Sequence, residues 1–236
     1  MKKISLFIVL FFPCLMFGQG GTINNDISSE SDSEIYRWEI GVNGGVNVTN
    51  VSGLIPDSSG ASINNNIGRL YGVTVVYHLN KVFAFKTDFD VEEKGWTVSN
   101  FGLVENPLTG VSSVEDVTQK LNYFDIPAFL HIGFGNKFKF DLNFGPYVAF
   151  LMDNRTFITD GSGNEIPVEI PDLSGYSATD FGLTYGAGID LALGKRFSFG
   201  FDFLYEHGLK DITEDGLRNT SIDFDFGINF LFGQKK

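Results

Sequence analysis

The feature that most constrains this chain is a period-two alternation that recurs in eight segments between Tyr36 and Phe232. The last segment, "DFDFGINFLFGQKK" (Asp223–Lys236), sets Phe224, Phe226, Ile228, Phe230 and Phe232 against Asp225, Gly227, Asn229 and Leu231. Successive strand side chains point to opposite faces, so each segment carries one apolar face and one polar face. Trp38–Val48, Tyr71–Leu79, Phe83–Val91, Phe124–Ile132, Phe138–Val148, Phe181–Leu191 and Phe197–Tyr205 repeat the pattern. Pro127 interrupts one of them. Proline donates no ladder hydrogen bond, so a bulge or weak pairing is expected there.

The connections alternate in length. Asn80-Lys81, Gly135-Asn136 and Gly194-Lys195 read as tight turns, whereas 50–66, 99–117, 153–178 and 210–219 read as long polar loops. Tight turns at one end and long loops at the other form the plan of an outer-membrane barrel. Each segment can cross a bilayer when tilted. A closed barrel is the β arrangement that leaves no backbone group unpaired in lipid. The expected fold is all-β: an eight-stranded antiparallel up-and-down transmembrane β-barrel over 36–232, with a short tail at 233–236.

Alternation alone does not say which face points outward. A soluble lipocalin-like ligand-binding barrel has the same strands with its apolar face inside. Two features favour the membrane form. The polar face is crowded with glycine (Gly41, Gly45, Gly72, Gly145, Gly182, Gly186, Gly188, Gly200 and Gly227). Glycine weakens a water-facing strand but suits the narrow lumen of a small barrel. Aromatic residues also gather where the two membrane interfaces would fall. Trp38, Tyr77, Phe83, Phe138, Phe197 and Phe232 lie toward the tight turns, and Tyr123, Phe181 and Tyr205 toward the loops.

The start of the chain gives the route. Lys2 and Lys3, the apolar run Ile4–Phe17 and small residues at Gly18 and Gly20 form a signal peptide (1–18, cleavage near 18–20). Cys14 lies within it. Residues 19–35 read as a flexible acidic leader. Loss of Lys2 and Lys3 takes the basic residues from 17 to 15, against 29 acidic ones, for a net charge of −14. So acidic a chain excludes nucleic acid as a partner, because phosphate binding needs a basic face.

With the Phe-rich face toward lipid, the polar face fills the interior. The expected lumen network is Arg37, Glu39, Lys86, Asp88, Asp90, Glu92, Asp125, Asp141, Asp190 and Asp202. Its favoured reading is structural, with a narrow ion or proton path as the alternative. No catalytic, cofactor-binding or metal residues are assigned. His78 and His131 are expected in the lumen. His207 lies near the loop rim beside Glu206 and Asp211, with nothing in the sequence to place Ser177 or Thr179 against it. "TDGSGNEIPVEIPD" (Thr159–Asp172) offers Asp160, Asn164, Glu165, Glu169 and Asp172, but fits no EF-hand spacing and reads as a solvated acidic loop.

Several segments resemble the PorT-like outer-membrane β-barrel family, also called the porin family. "FDVEEKGW" (Phe89–Trp96) resembles its strand ending in Lys-Gly, and "LNYFDIPAFLHIGFG" (Leu121–Gly135) its Tyr-x-x-Ile-Pro strand. "GPYVAFLM" (Gly145–Met152), "DFGLTYGAGIDL" (Asp180–Leu191) and "YEHGLKDI" (Tyr205–Ile212) resemble three further family segments. The chain end resembles the signal read by the outer-membrane assembly machinery, with Asp225, Gly227, Phe230 and Phe232 in its key places. The resemblance implies outer-membrane lipid and that machinery as partners. For some members it implies a secretion-system or periplasmic partner. It implies little about activity, since fold does not give function. The expected role is structural, assembly or secretion-associated, with periplasmic termini and extracellular loops. The alternative is a surface binding module acting through those loops.

Overall fold

All eight alternating segments become strands, and the strands close on themselves. The computed structural model describes residues 36–53, 62–99, 103–105, 112–114, 116–159, 165–168 and 175–234. The expected signal peptide and leader lie outside the described residues. The strands are β1 (Tyr36–Ser52), β2 (Ser62–His78), β3 (Phe83–Ser99), β4 (Leu103–Glu105), β5 (Ser112–Val114) and β6 (Asp116–Gly135). They continue with β7 (Phe138–Thr159), β8 (Glu165–Val168), β9 (Thr179–Ala192), β10 (Phe197–Gly208) and β11 (Arg218–Gln234). Around the ring the order is β1, β2, β3, β6, β7, β9, β10, β11, all antiparallel, and β11 pairs back onto β1 from Tyr36↔Gln234 to Ser52↔Arg218. The ring therefore has no free edge over its shared height. Two short pieces lie outside it: β4 pairs with β5, and β8 pairs with the upper end of β7.

The tight turns are where the sequence places them. The Asn80 side-chain oxygen accepts from the backbone N–H of Val82 (2.8 Å) and Phe83 (2.9 Å), folding the chain from β2 into β3. Gly135 (φ 122°) and Gly194 (φ 90°) supply the left-handed residues that the next two turns require.

Three of the long loops are shorter than expected. β2 begins at Ser62, β6 at Asp116, and β7 runs to Thr159. These extensions are mainly polar, as in Ser62, Asn64 and Asn65, with apolar residues such as Ile63 and Phe157 falling singly or in pairs and not in alternation. The hydrophobic period that marks a strand is absent there, and the ladder carries the strand beyond the apolar zone. Pro127 weakens pairing without a bulge of its own. The β3–β6 ladder skips from Thr87↔Ala128 to Asp90↔Asp125 in one register, and Thr87 Oγ1 donates to the Pro127 carbonyl at 2.8 Å. The register shift between β6 and β7 falls higher, at Asn122/Tyr123.

The two faces invert the usual arrangement. Outward residues are apolar and bare, as at Val42 (65 % exposed) and Phe140 (63 %), and they form a belt around the ring. A belt of this extent has no counterpart on a water-soluble monomer. Inward residues are polar and buried, as at Asp88 (2 %) and Lys94 (1 %). The wall is tight enough that a Cβ built on Gly145 would collide with the Ala128 carbonyl oxygen, and one on Gly186 with that of Phe203.

One apolar cluster sits inside. Val51, Trp96, Leu121, Tyr123, Tyr147 and Ala149 turn inward at the loop end and meet Ile212 and Leu217 from the β10–β11 loop. That loop is tied down by Ile212 N–H donating to the Leu217 carbonyl and Ser177 N–H to the Ile212 carbonyl, both 2.7 Å. Tyr123 is thus a plug residue, fully buried, and not part of an outer aromatic girdle. Along β6 the inward parity runs through Tyr123, Asp125 and Pro127, which carries Tyr123 inside.

Candidate functional site

The inward positions build a charged lumen in three levels. At the turn end, His78 Nε2 lies 2.7 Å from Glu39 Oε1. His131 Nδ1 donates to Asn143 Oδ1 (2.8 Å), and Asn143 Nδ2 donates to Asp141 (2.8 Å) and Asp202 (2.9 Å). Lys86 Nζ donates to Asp202 Oδ2 at 2.5 Å and stands 3.9 Å from Asp88. At mid-height, Asn43 Nδ2 donates to Asp90 (2.8 Å) and Asp225 (3.1 Å).

The third level centres on Lys94. Its ammonium contacts Glu206 Oε2 (2.5 Å), Asp125 Oδ2 (2.9 Å) and Glu92 Oε2 (3.1 Å). Thr184 donates to Glu206 Oε1 (3.0 Å), and Asn47 donates to Glu92 Oε1 (2.7 Å). The Tyr147 ring lies 4.5 Å from the same nitrogen, giving the charge an aromatic face as well. Above it, Tyr147 Oη (3.2 Å) and Asn219 Nδ2 (2.9 Å) donate to Asp180 Oδ2, just under the apolar plug.

Of the residues expected in the network, Glu39, Lys86, Asp88, Asp90, Glu92, Asp125 and Asp141 are buried in the lumen, and Asp190 and Asp202 are half-buried. Arg37 does not join them. It has the inward parity, but it stands one residue from the start of β1, exposed, with its guanidinium 5.8 Å from the Tyr77 ring centroid. Reasoning from sequence missed Lys94, Asp180, Glu206 and Asp223 as members of the network. The signal was available: Lys94 continues the parity of Lys86, Asp88, Asp90 and Glu92, and Asp223 that of Asp225.

His207 and Glu206 face opposite sides of β10. Glu206 binds Lys94, while His207 shares the outward parity of Tyr205 and stacks on it at 6.5 Å. Asp211 pairs with Arg218 at 2.7 Å, and Ser177 Oγ donates to the Thr179 carbonyl at 2.9 Å. The rim residues are therefore not gathered into one site. Of the acidic loop, Glu165 is exposed, and Asp160, Asn164, Glu169 and Asp172 lie outside the described residues. In β11, Asp225 and Gly227 face the lumen. Phe230 and Phe232 face outward, Phe232 opposite Trp38 and Phe230 5.3 Å from Phe197.

A closed ring of eight strands, an apolar skin and a charged interior define a membrane β-barrel. The family model for the outer membrane protein beta-barrel domain matches residues 22–214, and the chain belongs to that family. It is an outer-membrane protein. Among solved structures the chain is similar to the outer membrane protein OprG of Pseudomonas aeruginosa (12 % identity, 85 % of this chain and 98 % of that one, TM-score 0.48). It is also similar to outer membrane protein W of E. coli (13 %, 84 % and 99 %, 0.41) and to the attachment invasion locus protein Ail of Yersinia pestis (12 %, 83 % and 99 %, 0.40). No curated protein matches the sequence.

Proposed function

We propose that this protein is a closed, non-conducting barrel with a structural, assembly or secretion-associated role of the PorT-like kind, and that it has no catalytic activity. The observation that carries this reading is the apolar plug over an ion-paired lumen. An aqueous pore needs a wider ring of about 16–18 strands. Here the interior is filled by side chains from Glu39 at the turn end to Ile212 at the loop end. The long loops face outside the cell, and both termini face the periplasm. β11 carries the assembly signal at Asp225, Gly227, Phe230 and Phe232 and closes the ring on β1. In planar bilayers the purified barrel is expected to leave conductance at the lipid baseline. Steady single-channel steps that vanish with the protein would refute the closed lumen.

A second reading draws on β7 and β8. Their pairing, Thr156↔Val168 to Thr159↔Glu165, lifts a hairpin past the ring, and Ile166 on it is exposed. Such a hairpin presents an apolar side chain to a partner outside the cell. Deletion of 157–168 is expected to leave barrel insertion intact, read as a heat-modifiable band on electrophoresis. An unchanged envelope phenotype in the same strain would remove the binding reading.

A further inference from the structure

The lumen holds more negative charge than its own cations neutralise. A cavity of about 20 Å³ lies below Lys94, lined by Asp88, Asp90, Glu92, Asp125, Glu206, Asp223 and Asp225, with Leu70, Pro127 and Leu204 completing the wall. Every polar side chain lining it is a carboxylate. Lys94 reaches three of them from above, and Lys86 approaches Asp88 at 3.9 Å from below. That leaves two ammonium groups for seven carboxylates away from water, an arrangement that demands further positive charge.

Individual atoms show where that charge belongs. Asp88, Asp125, Asp223 and Asp225 each have an Oδ1 that is shielded from solvent and has no hydrogen-bond donor from the protein. These residues are only 1–6 % exposed. All four line this one cavity, and all four free atoms are acceptors. Asp223 is the one of these four that also stands in a trio with Glu92 and Glu206, one carboxylate oxygen of each lying within 4.8 Å of the others, and Lys94 bonds Glu92 and Glu206 from above. A calcium ion holds oxygens at about 2.3–2.6 Å, so ligands on opposite sides stand about 5 Å apart. The cavity volume suits a single ion or water molecule and excludes an organic ligand.

We propose that the barrel interior binds one hard divalent cation of the calcium class, held by Glu92, Glu206 and Asp223. The neighbouring Asp88, Asp125 and Asp225 supply further charge. Oxygen-only ligands select such an ion over the softer metals that prefer nitrogen or sulfur. It reaches the site from the turn end. Asp225 lines both this cavity and a second one near the turns, whose wall sets Glu39, Asp141, Asp190 and Asp202 beside Lys86, His78 and His131. The apolar plug shuts the other end. The cation therefore acts as a removable brace on the third level of the lumen. The site stands on its own geometry, whether or not the barrel conducts.

The test uses the full barrel in detergent, stripped with chelator and titrated with terbium, a calcium surrogate whose emission is sensitised by nearby tyrosine. Tyr147 and Tyr123 flank Lys94 at 4.5 and 5.9 Å. Saturable one-to-one emission, displaced by calcium, is expected, together with a higher unfolding temperature in calcium than in chelator. Asp223→Asn should weaken binding by about tenfold or more, while the exposed-loop variant Asp215→Asn should not. Wild-type protein that shows no stoichiometric uptake and no calcium-dependent shift overturns the proposal, with no reliance on any variant folding. Equal affinity in wild type and folded Asp223→Asn also overturns it, because the ion would then sit at the surface loops. Stabilisation by acid alone, with calcium inert, would assign the neutralising charge to protons instead.

Discussion

Replacing Lys94 with methionine is expected to cost the barrel about 3–5 kcal/mol of stability, the scale for removing one partner of a buried ion pair. Methionine keeps nearly the length and bulk of the lysine stem, so the loss is electrostatic and not a packing void. Glu92, Asp125 and Glu206 all converge on the lysine nitrogen, and removing it leaves three carboxylates facing one another inside the ring. Urea unfolding of the micelle- or vesicle-bound protein, followed by the fluorescence of buried Trp96, reads the change. Lys120→Met is the control: that ammonium is partly exposed and 3.9 Å from Glu93, so its loss should cost no more than about 1 kcal/mol. Adding Asp125→Asn and Glu206→Gln to Lys94→Met should recover much of the stability, because an interior emptied of unpaired charge is tolerated far better than one half-neutralised. An unchanged unfolding midpoint in Lys94→Met would show that this level of the lumen contributes nothing to the fold.

The barrel itself was legible because its physics repeats. Phe138, Phe140, Leu142 and Phe144 on one face against Lys139, Asp141 and Asn143 on the other state the orientation of β7, and seven more segments state it again. Closure follows from lipid, which tolerates no open edge. The lumen was legible only where the same parity was followed. Stopping strand three at Glu92 lost Lys94, the residue on which three carboxylates converge. The plug could not be read at all. Ile212 and Leu217 sit in a segment with the composition of a surface loop. Their inward packing depends on Ser177 and Tyr176 meeting them across the mouth of the ring, and no local period records that. The extensions of β2, β6 and β7 were missed for a related reason. Past the apolar zone a strand needs only its ladder, and hydrogen bonds leave no pattern in side-chain hydropathy.

An arginine placed at Phe144 tests the most basic feature of the molecule, the apolar skin. Phe144 is 56 % exposed and lies midway between Phe138 and Phe150 along the outward row of β7. In a bilayer that position is near the midplane, where arginine on the lipid face of a barrel costs about 2–4 kcal/mol. Phe138 lies beside the Gly135–Asn136 turn, where the same substitution should cost about 0–1 kcal/mol, since the charge can reach the interface. The expected result is therefore a gradient. Phe144→Arg lowers the unfolding free energy in phospholipid vesicles by several times as much as Phe138→Arg, although both residues are almost equally exposed, at 56 and 58 %. Water offers no such depth scale. On a soluble barrel, two equally bare phenylalanines replaced by arginine would have nearly equal and small effects. Equal effects at the two positions would mean that the outer face of the ring does not meet hydrocarbon.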